Sequence, residues 1–199
     1  MNEDLSNPAY WNELYETRQT NWDIGYISTP LKEYFDQLTN KDLAMLIPGC
    51  GNSYEAEYLI EEGFTNITVV DISSLLTQDL TKKFKAAIPH PLTVINSDFF
   101  ALEGQYDLII EQTFFCALPP SRRSDYVQQT YNLLKPGGKL AGVLFNRSFA
   151  GGPPFGGSME EYKPLFEERF TLKTLAPCYN SIKPRAGAEA FLLAQKPVK

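Results

Sequence analysis

Short, largely apolar runs alternate with polar or amphipathic segments along most of the chain. Continuous runs of this kind are typical of strands buried on both faces of a parallel sheet, with helices as the crossover connections. The runs lie at 43–48, 66–71, 92–96, 106–112 and 139–145, and helix-like segments separate most of them. The pattern therefore predicts an α/β fold.

The two ends of the chain complete this pattern. Near the start, Asn7 and Pro8 form an N-cap and first-turn signal for a short helix. Near the end, strands at 171–177 and 188–196 are separated by a loop alone, so one of them is expected to run antiparallel. We predict a single domain, 1–199, with a doubly wound, Rossmann-like, seven-stranded, mostly parallel sheet and an antiparallel edge strand.

Composition narrows the classes of partner. The 199 residues include 18 Lys and Arg and 24 Asp and Glu, which gives a formal net charge of −6. Binding to phosphate backbones needs a basic surface, so a nucleic acid or an anionic membrane is a disfavoured partner. No apolar run approaches the ~20 residues of a membrane span, and the acidic N-terminus lacks the apolar region of a signal peptide.

The three cysteines, Cys50, Cys116 and Cys178, are far apart in the sequence. They form no CxxC pair that would suggest a zinc site, and an odd, scattered set is no disulfide framework. Free thiols indicate a reducing compartment, so we expect a cytoplasmic protein without a bound metal.

Two glycines lie where the first strand passes into its helix. Gly49 and Gly51 allow a sharp turn and let a ligand approach bare backbone. Asp71 ends the next strand, about twenty residues later, where a carboxylate can accept hydrogen bonds from both hydroxyls of a ribose. The alternative is a plain tight turn with a helix-capping aspartate. The order of strand, glycine loop, helix and acidic strand end favours a nucleotide-type site.

The residues after the glycines distinguish between possible ligands. A dinucleotide fingerprint has a third glycine where this chain has Tyr54, and it places a diphosphate at the helix N-terminus. Glu55 and Glu57 lie in that first helical turn, where their carboxylates would repel a diphosphate. S-adenosylmethionine carries a sulfonium and no phosphate, so the loop favours it over NAD.

Further polar residues follow the third and fourth predicted strands. Asp98 can accept a hydrogen bond from an adenine amino group, and Phe99 can offer its ring or its backbone N–H to the base. Glu111 and Gln112 end the fourth strand, where we expect them to face the same crevice. The alternatives are a helix-capping aspartate with a core phenylalanine, and ordinary solvated side chains at a strand end.

Several stretches together resemble the thiopurine S-methyltransferase superfamily of class I S-adenosylmethionine-dependent methyltransferases. Within it, the chain is most similar to the plant halide/thiol methyltransferases, and the resemblance covers nearly the whole chain. The matching stretches are YWNELYETRQTNWDIG, IPGCGNSYEAEYL, VVDIS, DFF, YDLIIEQTFFCALPPSRRSDYV, LLKPGGKL and GGPPF. The first, fifth and last of these are specific to the superfamily.

The resemblance implies a helical lid over residues 1–40 on a sheet core over 41–199, with Trp11, Tyr15 and Trp22 covering the cofactor. Aromatic rings near a sulfonium attract it through cation–π interaction; the alternative is that they only fasten the helix to the sheet. The resemblance also implies cofactor contacts at Gly49, Asp71, Asp98, Phe99 and Gln112. Two positions depart from the plant relatives, which usually have Trp at the place of Tyr15 and often Tyr or Arg at that of Gln112.

The GGPPF segment after the fifth strand is expected to form a wall of the acceptor pocket, with Phe155 packing on the substrate. This segment is not the (N/D)PP(Y/F) motif of amino methyltransferases, which directly follows the fourth strand. Plant relatives carry an Asp-His pair before GGPP, where this chain has Arg147-Ser148-Phe149-Ala150, and this departure leaves the acceptor class open. The candidates for the acceptor pocket are Phe114, Arg147, Phe149, Phe155, Tyr179 and Arg185.

The favoured function is methyl transfer from S-adenosylmethionine to a small thiol, halide or thiopurine-like acceptor. Transfer from a sulfonium needs alignment and desolvation more than a base, so we assign no catalytic residue. His90 lies in a turn before the third strand and is expected at the surface. The alternatives are an NAD-type oxidoreductase and a non-catalytic cofactor-binding module. We expect a monomer whose partner is a small molecule.

Overall fold

The computed structural model describes residues 5–198, so 1–4 of the predicted lid and 199 of the predicted core lie outside the described range. The helices are α1 (Pro8–Glu16), α2 (Thr29–Phe35), α3 (Tyr54–Glu61), α4 (Ser74–Lys83), α5 (Arg123–Leu133) and α6 (Met159–Glu167). The strands are β1 (Met45–Pro48), β2 (Ile67–Asp71), β3 (Leu92–Asn96), β4 (Tyr106–Gln112), β5 (Leu134–Phe145), β6 (Thr171–Pro177) and β7 (Glu189–Gln195). Within the described range, no helix has the length and apolar character that crossing a membrane requires.

The seven strands form one sheet in the order β3-β2-β1-β4-β5-β7-β6. β1 to β5 run parallel, whereas β7 pairs antiparallel both with β5 and with the edge strand β6. The predicted fold class, a seven-stranded, mostly parallel sheet with antiparallel pairing at one edge, is confirmed. A loop alone can join β6 to β7 because antiparallel neighbours need no helical crossover.

Helices cover both faces of the sheet, and each face has its own core. On one face, Phe35 of α2 and Leu80 of α4 belong to the same cluster as Ile47 of β1. On the other face, Phe166 of α6 belongs to a cluster with Leu46 of β1. Successive strand residues point to opposite faces. A strand buried on both sides is therefore apolar along its whole length, as the runs in the sequence predict.

β5 begins earlier than the sequence predicts. We expected the Lys-Pro-Gly-Gly segment at 135–138 to end a helix ahead of a strand at 139–145, but the strand starts at Leu134, directly after α5. Its pairing with β4 changes register over this segment. A Cβ at Gly138 would lie 2.9 Å from the carbonyl oxygen of Lys135, so glycine allows the tight bulge that carries the strand through the segment.

A crevice forms where the direction of the strand order reverses. β1 leads to β2 on one side and β4 leads to β5 on the other, so β1 and β4 flank the reversal. In open α/β sheets, ligands bind outside the carboxyl ends of the strands at such a point. The loops that follow β1 and β4 therefore build the site.

The turn after β4 is shaped by the buried carboxylate of Glu111. Its Oε1 accepts hydrogen bonds from the backbone N–H groups of Phe114 and Phe115, at 2.8 and 2.9 Å, and its Oε2 accepts one from the Tyr126 hydroxyl at 2.8 Å. Burial raises the pKa of Glu111 from 4.5 to about 7. The expectation that Glu111 faces the crevice is wrong. Successive strand residues point to opposite faces, and it is Gln112 that lines the crevice.

Glu111→Gln is expected to flatten the dependence of stability on pH. The folded protein holds the Glu111 proton more tightly than the unfolded chain does, so its contribution is complete below pH 4.5 and is lost as the pH rises towards 7. Between pH 5 and pH 8, the wild type should lose about 2 kcal/mol more of its free energy of unfolding than the variant does. Urea denaturation at several pH values measures this difference. The exposed Glu168→Gln is the control; parallel curves for wild type and Glu111→Gln would contradict the assignment.

Candidate functional site

A cleft opens at the carboxyl edge of the sheet between β1 and β4. Three parts of the chain line it: the segment 22–26 that follows α1, the loop and first helical turn at 49–55, and the end of β4 at Gln112 and Thr113. Two of these parts are the loops that the fold places at the reversal of strand order. The third comes from the predicted lid.

The glycine loop presents bare backbone to the cleft. Gly49 has a φ of +55°, and a Cβ there would lie 2.3 Å from the Phe114 ring. Both the backbone conformation and the lack of space therefore exclude a side chain at this position. Gly51 has a φ of +51°, and its nearest contact would be the Tyr15 hydroxyl at 3.9 Å. The loop is therefore pressed against the turn after β4 at Gly49 and is open towards α1 at Gly51.

Asp71 ends β2 beside this loop. The backbone N–H of Ser73 donates a hydrogen bond to its Oδ1 at 2.9 Å, and the amides of Gly51 and Ile72 also favour its charged form. Burial outweighs these donors and raises the pKa of Asp71 from 3.8 to about 6. The structure thus brings the predicted ribose carboxylate and the glycine loop together.

The aromatic residues of the predicted lid form one stack above the loop. Trp22 contacts both Trp11 and Tyr15 edge-to-face, with ring centroids 5.8 Å apart in each pair. Burial, together with the nearby charge of Asp71, raises the pKa of Tyr15, so its hydroxyl stays protonated. Trp22 itself lines the cleft, whereas Trp11 and Tyr15 contact its ring without belonging to the lining.

Two carboxylates and an unpartnered amide oxygen belong to the polar lining of the cleft. The Oδ2 of Asp23 accepts a hydrogen bond from the Tyr54 hydroxyl at 3.2 Å, and Glu55 is buried, which raises its pKa. The buried Oε1 of Gln112 has no hydrogen-bond partner within residues 5–198. Acceptors and carboxylates suit a ligand that carries positive charge and N–H groups and oppose a phosphate. The sequence reasoning did not identify Asp23, although it lies in the TNWDIG stretch that carried the resemblance.

The region after β3 offers fewer groups for contact with a ligand than the sequence predicted. The Phe99 ring is buried in the core between Phe114 and Tyr126, with centroid distances of 5.3 and 5.6 Å, so it is not available to stack on a base. Only its backbone N–H can serve a ligand. Asp98 is exposed, and its Oδ1 caps the following turn by accepting from the Phe100 N–H at 2.9 Å.

The acceptor-pocket candidates divide into two groups. Phe114 packs on Gly49, and Phe155 is half-buried, with its N–H donating to the Cys116 carbonyl oxygen at 2.6 Å. The remaining candidate on this side is Phe149, whose ring lies 5.0 Å from that of Phe145. These aromatics lie on the side of the turn after β4 and of the segment 146–158.

The charged and polar candidates have other partners. The Arg185 guanidinium donates to the Trp22 carbonyl oxygen at 2.9 Å and to the Oε1 of Glu189 at 3.3 Å. Arg147 is exposed and stacks on the Phe149 ring at 4.8 Å. The structure does not bring Tyr179 to the cleft, because this residue is 85% exposed and its hydroxyl donates to a glutamate of α2.

A buried arginine that the sequence reasoning missed holds the acceptor-side segment. Arg123 is 3% exposed, and its Nη2 donates to the Gly156 carbonyl oxygen at 2.7 Å. Its Nη1 pairs with Glu161 of α6. No signal in the sequence separates Arg123 from its neighbour Arg122, which lies nearer the surface in an ion pair with Asp125.

We searched the described part of the chain for side chains that could bind a metal ion. No group of three or more His, Cys, Asp or Glu side chains there is arranged to hold a metal ion. The three cysteines are unpaired and buried, and His90 is exposed in its turn, as expected.

The comparisons with known proteins agree with the geometry of the cleft. The family model described as Thiopurine S-methyltransferase (TPMT) matches residues 6–194. The chain is 32% identical over 187 residues to "Probable thiol methyltransferase 2" of Arabidopsis thaliana, covering 90% of this chain and 81% of that protein. It is 28% identical over 188 residues to a thiopurine S-methyltransferase of Pseudomonas fluorescens (strain SBW25), covering 84% and 85%.

A solved structure of lower sequence identity has the same fold. The 1,6-didemethyltoxoflavin-N1-methyltransferase of Burkholderia thailandensis, crystallised with 1,6-didemethyltoxoflavin and S-adenosylhomocysteine, superposes with a TM-score of 0.72 at 17% identity. The superposition covers 96% of this chain and 87% of that one.

These findings confirm the predicted family, enzyme class and cofactor, and they overturn the NAD-type and non-catalytic alternatives. The match of the family model extends over almost the full chain, from before α1 into β7. The chain belongs to the thiopurine S-methyltransferase family of S-adenosylmethionine-dependent methyltransferases.

Proposed function

We propose that S-adenosylmethionine binds in the cleft between β1 and β4 and that its methyl group passes to a small thiol, halide or thiopurine-like acceptor on the side of Phe155. The observation that carries this proposal is the set of acceptor groups around bare backbone. The Asp71 carboxylate lies beside the glycine loop, and Gln112, whose Oε1 has no hydrogen-bond partner within the described chain, lines the same cleft as that loop. The residues present therefore fit this cofactor.

Each contact has a distinct role. Asp71 accepts from the ribose hydroxyls, and the backbone of Gly49 and Gly51 allows close approach of the ligand. The amide oxygen of Gln112 accepts from a ligand N–H. Asp23 supplies negative potential for the cationic end of the cofactor, as does Glu55 in its ionised form. Trp22 and Tyr15 cover the site, where their rings stabilise a neighbouring cation by roughly 0.5–2 kcal/mol.

Two contacts on the adenine side are more limited than the sequence suggested. Asp98 is placed to accept from the exocyclic amino group of the adenine. Phe99 serves the base through its backbone N–H alone, because its ring belongs to the core.

When bound, S-adenosylmethionine supplies a methyl group on a sulfonium, whose sulfur leaves without protonation. The chain therefore needs no general acid, and an anionic acceptor needs no general base. Its own residues align the two reactants and exclude water, which raises the reactivity of an anionic nucleophile. Phe149 and Phe155 supply apolar walls for that purpose. Arg185, 12% exposed and above the Phe145 ring at 5.3 Å, adds positive potential nearby.

The names of the relatives support the acceptor class. Proteins named thiol, thiopurine and thiocyanate methyltransferases match most of this chain. We further propose a cytoplasmic monomer that acts on a small molecule and binds neither nucleic acid nor membranes. The acidic composition supports the absence of binding to nucleic acid and membranes, and the three unpaired cysteines support the compartment.

Asp71→Ala is expected to weaken binding of S-adenosylhomocysteine by about 5- to 150-fold, because the ribose hydroxyls lose a buried partner worth about 1–3 kcal/mol. Isothermal titration calorimetry measures the affinity, and the exposed Asp125→Ala is the control. NADH should not bind to the wild type. An unchanged affinity in Asp71→Ala, or binding of NADH, would contradict the proposed site.

The same affinity is expected to depend on pH. The ribose hydroxyls bind the ionised form of Asp71, whose pKa in the free protein is raised to about 6 by burial. Binding should therefore release a proton and weaken by up to about tenfold per pH unit below 6. Calorimetry in buffers of different ionisation enthalpy measures the proton. Asp71→Asn should reduce the dependence, and the part that remains belongs to Glu55, whose pKa burial also raises; a wild-type affinity that stays constant from pH 7 to pH 5 would speak against the assignment.

Phe155→Ala is expected to lower kcat/KM for the acceptor at least about tenfold and to leave the affinity for S-adenosylhomocysteine within about twofold. The lost ring opens the apolar wall to water and reduces acceptor binding. Gas chromatography of methanethiol and methyl iodide, beside an assay with an aromatic thiol, measures turnover. Tyr179→Ala is the control, because that side chain lies outside the cleft. Turnover of none of these acceptors, with efficient methylation of an amine or a macromolecule, would overturn the acceptor class.

A further inference from the structure

One polar side chain on α1 reaches the beginning of α4. The Oδ1 of Asn12 accepts hydrogen bonds from the Ser73 hydroxyl at 2.7 Å and from the Leu75 backbone N–H at 3.2 Å. The Nδ2 of Asn12 donates to the Ser74 hydroxyl at 3.4 Å. Asn12 thus adds a second cap to α4, whose own N-cap residue, Ser73, already accepts from a backbone N–H of the first turn.

The residues that Asn12 holds are next to the proposed ribose carboxylate. Ser73 is fully buried, and its backbone N–H donates to the Oδ1 of Asp71 at 2.9 Å. Three groups therefore follow each other in contact: the Asn12 amide, the Ser73 turn and the Asp71 carboxylate. A displacement of Asn12 removes one of the two side-chain caps that fix this turn.

Asn12 also fixes the aromatic cover. Residues three apart lie on the same face of a helix, so Asn12 and Tyr15 share the face of α1 that contacts the start of α4 and the glycine loop. When Asn12 is hydrogen-bonded to α4, the Tyr15 hydroxyl lies 3.9 Å from the Cβ position of Gly51. The charge of Asp71 is near enough to contribute to the raised pKa of this hydroxyl. The Tyr15 ring in turn contacts Trp22, which lines the cleft.

We propose that Asn12 is a positioning residue for the cofactor: by capping α4 from α1 it holds Asp71 and Tyr15 in the arrangement that receives the ligand. This proposal rests on the cofactor site proposed above. It assigns no contact between Asn12 and the cofactor, and it couples closure of the lid to the geometry of the ribose carboxylate. Seating of α1 and binding of the nucleoside therefore stabilise each other.

Two substitutions of similar size separate this role from general packing. Asn12→Leu removes all three hydrogen bonds, whereas Asn12→Asp keeps the oxygen that accepts from Ser73 and Leu75. We expect Asn12→Leu to weaken S-adenosylhomocysteine binding about tenfold and Asn12→Asp to stay within about threefold of the wild type. Calorimetry at a temperature where all variants are folded gives the affinities. The exposed Glu16→Ala, also on α1, is the control.

Hydrogen exchange supplies the second readout. In the wild type, S-adenosylhomocysteine should increase the protection of the amides of 8–22, and Asn12→Leu should lose this increase while Asn12→Asp retains it. If Asn12→Leu does not fold, Asn12→Ala takes its place in both experiments. A merely structural Asn12 would lower the melting temperature without changing the affinity of the folded protein.

The outcomes distinguish this inference from the proposed function. Wild-type affinity in Asn12→Leu, together with a loss in Asp71→Ala, would overturn the role of Asn12 and leave the cofactor site intact. An equal loss in Asn12→Leu and Asn12→Asp would also overturn it, because the shared oxygen would then be irrelevant. Unchanged affinity in both Asp71→Ala and Asn12→Leu would overturn the site and the positioning role together.

Discussion

The contact between Gly49 and the Phe114 ring joins the two halves of the site. It connects the loop after β1 to the turn after β4, which are more than sixty residues apart in the sequence. A Cβ at Gly49 would lie 2.3 Å from the ring, so the two loops can meet only at a glycine. Glu111 sets the position of the ring, since its carboxylate binds the N–H groups of Phe114 and Phe115. The crevice at the reversal of strand order is therefore bounded by two loops that the contact between Gly49 and Phe114 holds together.

Burial of carboxyl groups gives this site its chemical character. Asp71 and Glu55 are both buried beside the loop, and desolvation raises the pKa of each. A folded protein gains little stability from such groups in the free state. They become favourable when a ligand brings hydroxyls and positive charge to them, as a nucleoside sulfonium does, whereas the diphosphate of a dinucleotide would bring negative charge.

The sequence predicted the parts of the structure that follow from local rules. Continuous apolar runs identified the parallel strands, and the spacing of Gly49, Gly51 and Asp71 correctly placed these three residues together at the carboxyl edge of the sheet. The single-residue assignments at Glu111 and Phe99 were less accurate. Whether a strand-end side chain faces the crevice or the core depends on register and on neighbours such as Tyr126, which lie far away in the sequence.

Tertiary contacts also decide which of several similar residues matters. Arg122 and Arg123 are adjacent and identical in type, yet only Arg123 enters the core and binds the carbonyl oxygen of Gly156. Asn12 looks like any polar residue of a short helix until α4 lies against it. A pattern in one sequence contains no information about which helix end another helix will meet, and such residues emerge only from the packed structure.

The most direct test of the account is a crystal structure of the chain with S-adenosylhomocysteine. The account predicts that both ribose hydroxyls lie within hydrogen-bond distance of the Asp71 carboxylate and that a ligand N–H lies within reach of the Oε1 of Gln112. It also predicts that the sulfur faces the side of Phe155, with Tyr15 and Trp22 closed over the nucleoside. A ligand seated away from the glycine loop, or one with its ribose turned away from Asp71, would contradict it.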